Sequence, residues 1–149
     1  MKQTKLSYDD VLLEPQKSSV ESLSNVDTTV ELAGIELEAP MLSAPMDTVT
    51  EREMAEEIAD QGGLGVVHRF LEPSEQAEHI QGISPVAGAV GLNEYDRVEE
   101  LIDNDVDIIV ADIAHGHHEP FIDYIEDITG SYDYLLLLVT WLQLRVQMI

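Results

Sequence analysis

Asp112 and the histidines that follow it are the residues whose types and spacing most clearly could do chemistry. Asp112 comes directly after the apolar run 108–111, which is typical of a buried strand. A carboxylate at the end of such a strand must be paired, hydrogen bonded or open to solvent. In that position it can accept hydrogen bonds from ribose hydroxyls, or it can cap a helix or brace a loop.

His115, His117 and His118 lie close together around Gly116 and raise the question of a metal site. Histidines this close on a glycine loop seldom point at one ion, and four converging ligands are normally needed. We therefore expect no metal site. Gly116 would let the backbone approach a ligand closely, because glycine has no Cβ.

Two further polar loops follow apolar segments. Residues 43–50 read SAPMDTVT, and on their own they predict a turn from a strand to a helix, shaped by Pro45 and capped by Thr50. His68 and Arg69 follow the short run 64–67. The sequence does not decide whether these two side chains line a pocket or only end a strand.

Composition narrows the possible partners. The chain has 149 residues, with 30 acidic against 7 basic residues and a net charge of −23. This charge argues against nucleic acid and anionic membranes, because binding phosphate requires lysine and arginine. It also indicates a halophilic origin, since high salt screens the self-repulsion. No cysteine occurs, so disulfide and thiolate chemistry are excluded. The N-terminus shows no signal peptide, which predicts a cytoplasmic protein.

Short apolar strands alternate with amphipathic helices. Strands are predicted at 40–44, 64–67, 86–90 and 108–111, and helices at 51–61, 73–81, 93–104 and from Pro120 onward. Thr50 and Asn93 are the expected caps, with Glu53 completing a capping box. A small hairpin is expected over 30–37. Alternating βα units imply a parallel sheet, either open or closed into a barrel. In a closed barrel, the polar loops would meet at the carboxyl ends of the strands, where such barrels place active sites.

The chain resembles the inosine monophosphate dehydrogenase / guanosine monophosphate reductase family. The matching segments are LSYDDVLLEP at 6–15, SAPMDTVT at 43–50, GGLGVVHR at 62–69 and DIAHGH at 112–117. The resemblance implies the N-terminal half of a (β/α)8 TIM barrel, with about four βα units. It divides the chain into a family segment with the hairpin (1–39), the first barrel units (40–130) and an apolar tail (131–149).

The resemblance also implies the ligands. Ala44 and Met46 would bind a purine nucleoside monophosphate. The dinucleotide, NAD or alternatively NADP, would lie against Asp112, Ile113, Ala114 and Gly116. Intact relatives are homotetramers, and intact dehydrogenases use potassium on a loop beyond this match, so no potassium site is assigned here.

The family's nucleophile is a cysteine, and this chain has none. We therefore expect a fragment that is itself inactive and descends from a dehydrogenase converting IMP, NAD and water to XMP and NADH. A fragment of an NADPH-dependent guanosine monophosphate reductase is the alternative. A non-catalytic fragment that pairs with a paralogue is a third possibility.

Residues 134–149 differ in character from the rest, because they contain no acidic residue. Their apolar run is about half the length of a membrane span, which needs ~20 residues. They are compatible with a fifth buried strand. They are also compatible with a frameshift near 129–134, since a shifted frame permits a family-like Gly-Asn-Val-Ala-Thr loop.

Overall fold

In a computed structural model, residues 8–132 and 136–139 are described. The helices are α1 (Arg52–Asp60), α2 (Pro73–Ile80), α3 (Tyr95–Asp103) and α4 (Glu119–Ser131). The strands are β1 (Val30–Leu32), β2 (Ile35–Leu37), β3 (Gly65–Val67), β4 (Val86–Val90), β5 (Ile108–Asp112) and β6 (Leu136–Val139). Short 3₁₀ turns lie at Tyr8–Asp10 and Leu23–Asn25. Within these residues no helix is both long and apolar enough to cross a membrane.

Strands β3 to β6 form one parallel sheet whose order in space follows their order in the chain. A parallel bridge between Leu42 and Leu64 places the segment before α1 beside β3 and in the same direction. Parallel neighbours need crossover connections, and helices α2, α3 and α4 lie between successive strands. The predicted α/β class with a parallel sheet is therefore confirmed.

Both faces of the sheet are covered, which explains why its strands are apolar on both sides. One face packs against the helices in a cluster that includes Val67, Val86, Val90, Ile109 and Phe121. The other face contributes Leu64, Val66, Ala87, Ala89, Ile108 and Val110, and these pack with Leu37 of β2. The hairpin therefore lies over the face of the sheet opposite the helices.

The hairpin joins β1 to β2 through a two-residue turn. The strands pair antiparallel, with Val30 opposite Leu37 and Leu32 opposite Ile35. Ala33 and Gly34 both have positive φ, at 63° and 75°. Positive φ at both central residues is the requirement of a type I′ turn, whose twist matches the strands it joins. Alanine is a poor residue for this conformation, because its Cβ crowds the backbone.

Replacing Ala33 with asparagine is expected to raise the free energy of unfolding by about 0.5–1 kcal/mol, because asparagine tolerates positive φ better. Urea denaturation followed by circular dichroism measures the change. Gly34→Ala is the matched control and should lower stability, since its added Cβ meets no atom within 4 Å and only the backbone is affected. Equal effects of both variants would contradict this account of the turn.

Three local predictions are wrong. Residues 40–44 form no strand beyond the single bridge at Leu42, because Pro40 and Pro45 have no N–H with which to extend a ladder. Glu51, and not Thr50, is the residue before α1, and no side chain caps that helix, so the Glu53 capping box is absent as well. Asn93 does not precede α3 directly; it lies at φ 61°, and Glu94 takes the cap position.

The C-terminal segment is described only in part. The backbone of Leu136–Val139 pairs in parallel with β5, with Asp112 opposite Val139. Residues 133–135 and 140–149 lie outside the described residues. The frameshift hypothesis and the domain boundaries at 1–39, 40–130 and 131–149 remain predictions.

Candidate functional site

The polar loops identified in the sequence lie at one edge of the sheet. Ser43 follows the bridge at Leu42, His68 follows β3, Gly91 follows β4, and Asp112 is the last residue of β5. Because these segments run in parallel, their carboxyl ends share that edge. The edge therefore combines loop 43–50, a histidine, an arginine and a carboxylate from different units of the chain.

The loop 43–50 is held in shape by its own hydrogen bonds. The Thr50 hydroxyl donates to the Ala44 carbonyl at 2.7 Å, and the Met46 and Thr50 amides donate within the same loop, to Ala44 at 2.8 Å and to Met46 at 3.0 Å. Thr50 is fully buried, whereas Ala44 is exposed and Met46 is 49% exposed. An ordered loop thus presents a thioether side chain to solvent, where it can pack against a flat ring.

Ser43 joins this loop to the sheet. Its backbone amide donates to the Leu64 carbonyl at 3.1 Å, and its hydroxyl accepts from the Val66 amide at 2.9 Å. The side chain therefore takes the place of a ladder hydrogen bond at the point where the strand stops. The sequence shows a serine at this position, but it does not reveal that the hydroxyl bonds to the Val66 amide.

His68 is buried and shapes the neighbouring loop. Its Nδ1 accepts a hydrogen bond from the Phe70 amide at 3.1 Å, so the proton of the neutral ring lies on Nε2. Nε2 lies 3.6 Å from a Glu51 carboxylate oxygen and has no hydrogen-bond partner among the described residues. The His68 side chain is 1% exposed and thus lies in the interior at the end of β3, and the two roles that the sequence left open for it remain predictions.

Arg69 extends from the end of β3 across the end of β4. Its guanidinium carbon lies 4.9 Å from the centre of the Phe70 ring. A Cβ built on Gly91 would come 3.1 Å from Arg69 Nη1, so the absence of a side chain at Gly91 leaves room for the guanidinium. Arg69 Nε is buried and has no partner within the described part of the chain.

Asp112 is half-buried beside this arginine. Burial raises the pKa of the Asp112 carboxyl above its ordinary value of 3.8, and the positive charge of Arg69 partly opposes the rise. The folded protein therefore holds the Asp112 proton more tightly than the unfolded chain does. Stability accordingly falls as pH rises through the window just above 3.8. Such a carboxylate is poorly solvated and available to accept hydrogen bonds from a ligand.

The loop after Asp112 leads into α4. The His118 amide donates to the His115 carbonyl at 3.2 Å, and His118 is the residue that precedes the helix. His115, His117 and His118 are exposed, as is Ala114, whereas Ile113 and Gly116 are half-buried. Over the described ranges, no three His, Asp or Glu side chains are grouped so that they could hold a metal ion.

Three polar residues that the sequence did not single out lie behind this edge: Gln76, Glu94 and Arg97. Gln76 is fully buried and Arg97 is 7% exposed. Gln76 and Arg97 share a pattern in the sequence, in which apolar residues lie one and four positions after the polar one. Ala77 and Ile80 follow Gln76 in this way, and Val98 and Leu101 follow Arg97. This spacing places each polar residue next to a buried helical stripe.

Comparison with known proteins identifies relatives. Residues 5–140 match the model of the IMP dehydrogenase / GMP reductase domain. A protein named GMP reductase from Streptococcus pyogenes serotype M49 (strain NZ131) is 36% identical over 126 residues, which cover 81% of this chain and 38% of that protein. The GMP reductases of serotypes M5 (strain Manfredo) and M4 (strain MGAS10750) are 35% identical over 126 residues. The chain thus spans 38% of the length of these curated relatives.

Proposed function

Because the chain belongs to the IMP dehydrogenase / GMP reductase family, we propose that it is part of an NAD(P)-dependent oxidoreductase acting on purine nucleoside monophosphates. Within that enzyme, this chain would bind both the purine nucleotide and the dinucleotide at the carboxyl edge of the sheet. The observation that carries this proposal is the convergence of loop 43–50, Arg69 and Asp112 at that edge.

We propose that the sheet is the first part of a (β/α)8 barrel. Its parallel strands follow chain order, as successive strands of a barrel do. The helices cover one face, and the opposite face carries small and branched residues such as Ala87, Ala89 and Val110, which suit a barrel interior. The hairpin covers part of that face in this chain.

The proposed roles follow from position and chemistry. Met46 packs against the purine base, and the backbone near Ala44 approaches the nucleotide. Asp112 accepts hydrogen bonds from the ribose next to the nicotinamide, and its half-buried carboxylate fits that role. Ile113, Ala114 and Gly116 continue the same loop along the dinucleotide. When bound, the dinucleotide would exchange hydride with the purine, while these residues bind and orient it.

We propose two alternative reactions for the enzyme to which this chain belongs, and different observations favour each. Loop 43–50 favours the dehydrogenase, with IMP, NAD and water giving XMP and NADH. The names of the curated relatives favour GMP reductase. The short segment 70–85 between Arg69 and β4 favours it too, because dehydrogenases of this family typically carry a pair of regulatory domains inserted there. The reductase fits at least as well. NAD is the cofactor of the first assignment and NADP that of the second.

The chain contains no cysteine, so a thiol nucleophile would have to come from outside it. We therefore propose that these 149 residues bind ligands without turning them over. The same observation supports a second candidate, a non-catalytic fragment that pairs with a paralogue. Cytoplasmic location and assembly into a homotetramer are also proposed from the family resemblance.

Binding is tested by saturation-transfer NMR of IMP, GMP, NAD⁺ and NADP⁺ with the full chain, and the preferred dinucleotide distinguishes the dehydrogenase from the reductase. Asp112→Asn is expected to weaken dinucleotide binding about tenfold or more, because hydrogen bonds to a charged group contribute about 1.5–3 kcal/mol. Nucleotide binding should persist.

Asp123→Asn, on the exposed side of α4, is the control with the same charge change. Asp112→Asn is expected to keep its stability at neutral pH, because burial disfavours the charged form of Asp112 in the folded state and raises its pKa. Urea denaturation of both variants checks that lost binding does not come from unfolding. Absence of binding by the parent chain, or equal effects of the two variants, would count against the proposed function.

A further inference from the structure

Gln76 uses both donors and the acceptor oxygen of its side-chain amide inside the protein. Its Nε2 donates to the Val67 carbonyl of β3 at 3.0 Å and to the Ala89 carbonyl of β4 at 2.9 Å. Its Oε1 accepts from Arg97 at 2.8 Å. One side chain from α2 thus joins the carboxyl ends of two neighbouring strands. Because both donors and the acceptor are occupied, the amide has one orientation.

Arg97 extends these hydrogen bonds of Gln76 into a network that includes the two loops after β3 and β4. Its Nη2 donates to the Leu71 carbonyl, after β3, at 3.0 Å. Its Nε donates to a Glu94 carboxylate oxygen, after β4, at 3.1 Å. The same Glu94 oxygen accepts from the Gly91 amide at 2.6 Å. A buried, planar guanidinium therefore fixes the two loops through Nη2 and Nε, while its Nη1 bonds Gln76.

The two loops fixed in this way carry Arg69 and the glycine beside it. Arg69 lies two residues before Leu71, and Gly91 leaves the space that its guanidinium occupies. Arg69 in turn acts electrostatically on Asp112, at the end of the next strand. The network therefore runs from α2 and α3 to three consecutive strand ends, although none of Gln76, Glu94 and Arg97 lies among the ligand-binding residues proposed above.

We propose that Gln76 and Arg97 are positioning residues that hold the loops after β3 and β4 so that the Arg69 guanidinium stays in the space beside Gly91, within electrostatic reach of Asp112, and that they thereby set the dinucleotide affinity of this edge. The statement about affinity rests on the proposed function. The statement about Arg69 and Asp112 does not, because it concerns the ligand-free chain.

The experiment measures the pKa of the Asp112 carboxyl by ¹³C NMR in the full chain at moderate ionic strength. Gln76→Met keeps the length of the side chain and removes all three hydrogen bonds. The loops should then loosen and Arg69 should move away, so the pKa of Asp112 is expected to rise. Arg69→Met, which removes the opposing charge directly, should raise it too. In the Arg69→Met background, Gln76→Met should add no further rise.

A matched control separates positioning from loss of stability. Ile80→Ala alters a buried apolar residue on the same helix, one turn beyond Gln76. It removes core contacts but none of the network hydrogen bonds, so the pKa of Asp112 should stay at its parent value. Gly91→Ala is the second network variant, for use if Gln76→Met does not fold. Its Cβ would press on Arg69 and Glu94 while leaving Gln76 intact, and it is expected to raise the pKa of Asp112.

A second experiment measures dinucleotide binding by the same variants with saturation-transfer NMR. Gln76→Met and Gly91→Ala are expected to weaken binding about tenfold, as displaced supporting contacts do, and Ile80→Ala is expected to have no effect. If the parent chain binds no dinucleotide, the proposed function fails while the Asp112 titration still tests the positioning. An unchanged Asp112 pKa in both network variants would overturn the inference, whatever the ligands do.

Discussion

Gly65→Ala is expected to lower the free energy of unfolding more than Gly34→Ala, Gly91→Ala or Gly130→Ala does. A Cβ on Gly65 would lie 2.5 Å from the Ala55 Cα, 2.8 Å from its Cβ and 3.1 Å from its carbonyl oxygen. These are mainly backbone atoms of α1, so the clash cannot be relieved by rotating a side chain. The helix would have to move off β3, at a cost of about 3 kcal/mol or more. That is a large share of the total stability of a small domain.

Urea denaturation followed by circular dichroism measures this loss, and Gly130→Ala is its control. Gly130 lies in α4 and has no atom within 4 Å of its would-be Cβ. Alanine there should be neutral or stabilise the chain by up to about 1 kcal/mol, since alanine favours helix more than glycine does. If the two variants were equally stable, α1 would not pack on β3 as described.

Arg97→Met is expected to lower the free energy of unfolding by about 3 kcal/mol, because removing one partner of a buried ion pair leaves the other partners unsatisfied. The side chain of Arg97 is 9% exposed and that of Glu94 is 28% exposed, so the loss should lie near the lower end for such pairs. Gln76 would also lose the partner of its Oε1 inside the core. Arg97→Lys should restore little, because an ammonium cannot reach three separate acceptors in the same planar fork.

Arg52→Met is the matched control for the loss of an arginine. Arg52 is 43% exposed, pairs with Glu56, and donates to the carbonyls of Glu78 and Gln81 at the end of α2. Exposed pairs contribute under about 1 kcal/mol, so this variant should be much less destabilised. Thermal and urea denaturation measure the stability lost by Arg97→Met and by Arg52→Met. Equal losses would show that the Arg97 network is no stronger than a surface contact.

These two predictions concern opposite ends of the same sheet, because Gly65 is the first residue of β3 whereas Arg97 bonds to the loops after the carboxyl ends of β3 and β4. Gly65 lets a helix approach the sheet, and Arg97 ties the loops that leave it. The sheet that carries the proposed site is therefore supported by close backbone packing and by a buried polar network. Both supports lie behind the proposed site and not in it. Substitutions at Gly65 or Arg97 are therefore expected to change stability, whereas substitutions within the proposed site are expected to change binding.

Much of the framework was predictable from the sequence. The continuous apolar run at Val86–Val90 predicted β4 with its observed bounds, because a strand buried on both faces needs no alternation. The run at 108–111 predicted β5 to within one residue, and Pro73 marked the start of α2. The short hairpin also follows from local chemistry, since two strand-like triplets flank Ala33 and Gly34.

Only the tertiary structure decided what the polar residues do. Thr50 has the residue type of a helix cap, yet its hydroxyl donates to the Ala44 carbonyl, and Glu51 takes the cap position of α1. Gln76 and Arg97 look like surface residues of two amphipathic helices until the strands beside them are known. Chain periodicity reports which face of an element is buried, but a buried polar group is explained by its partners. Those partners, Val67, Ala89 and Leu71, come from other elements, so no local pattern in the sequence could identify them.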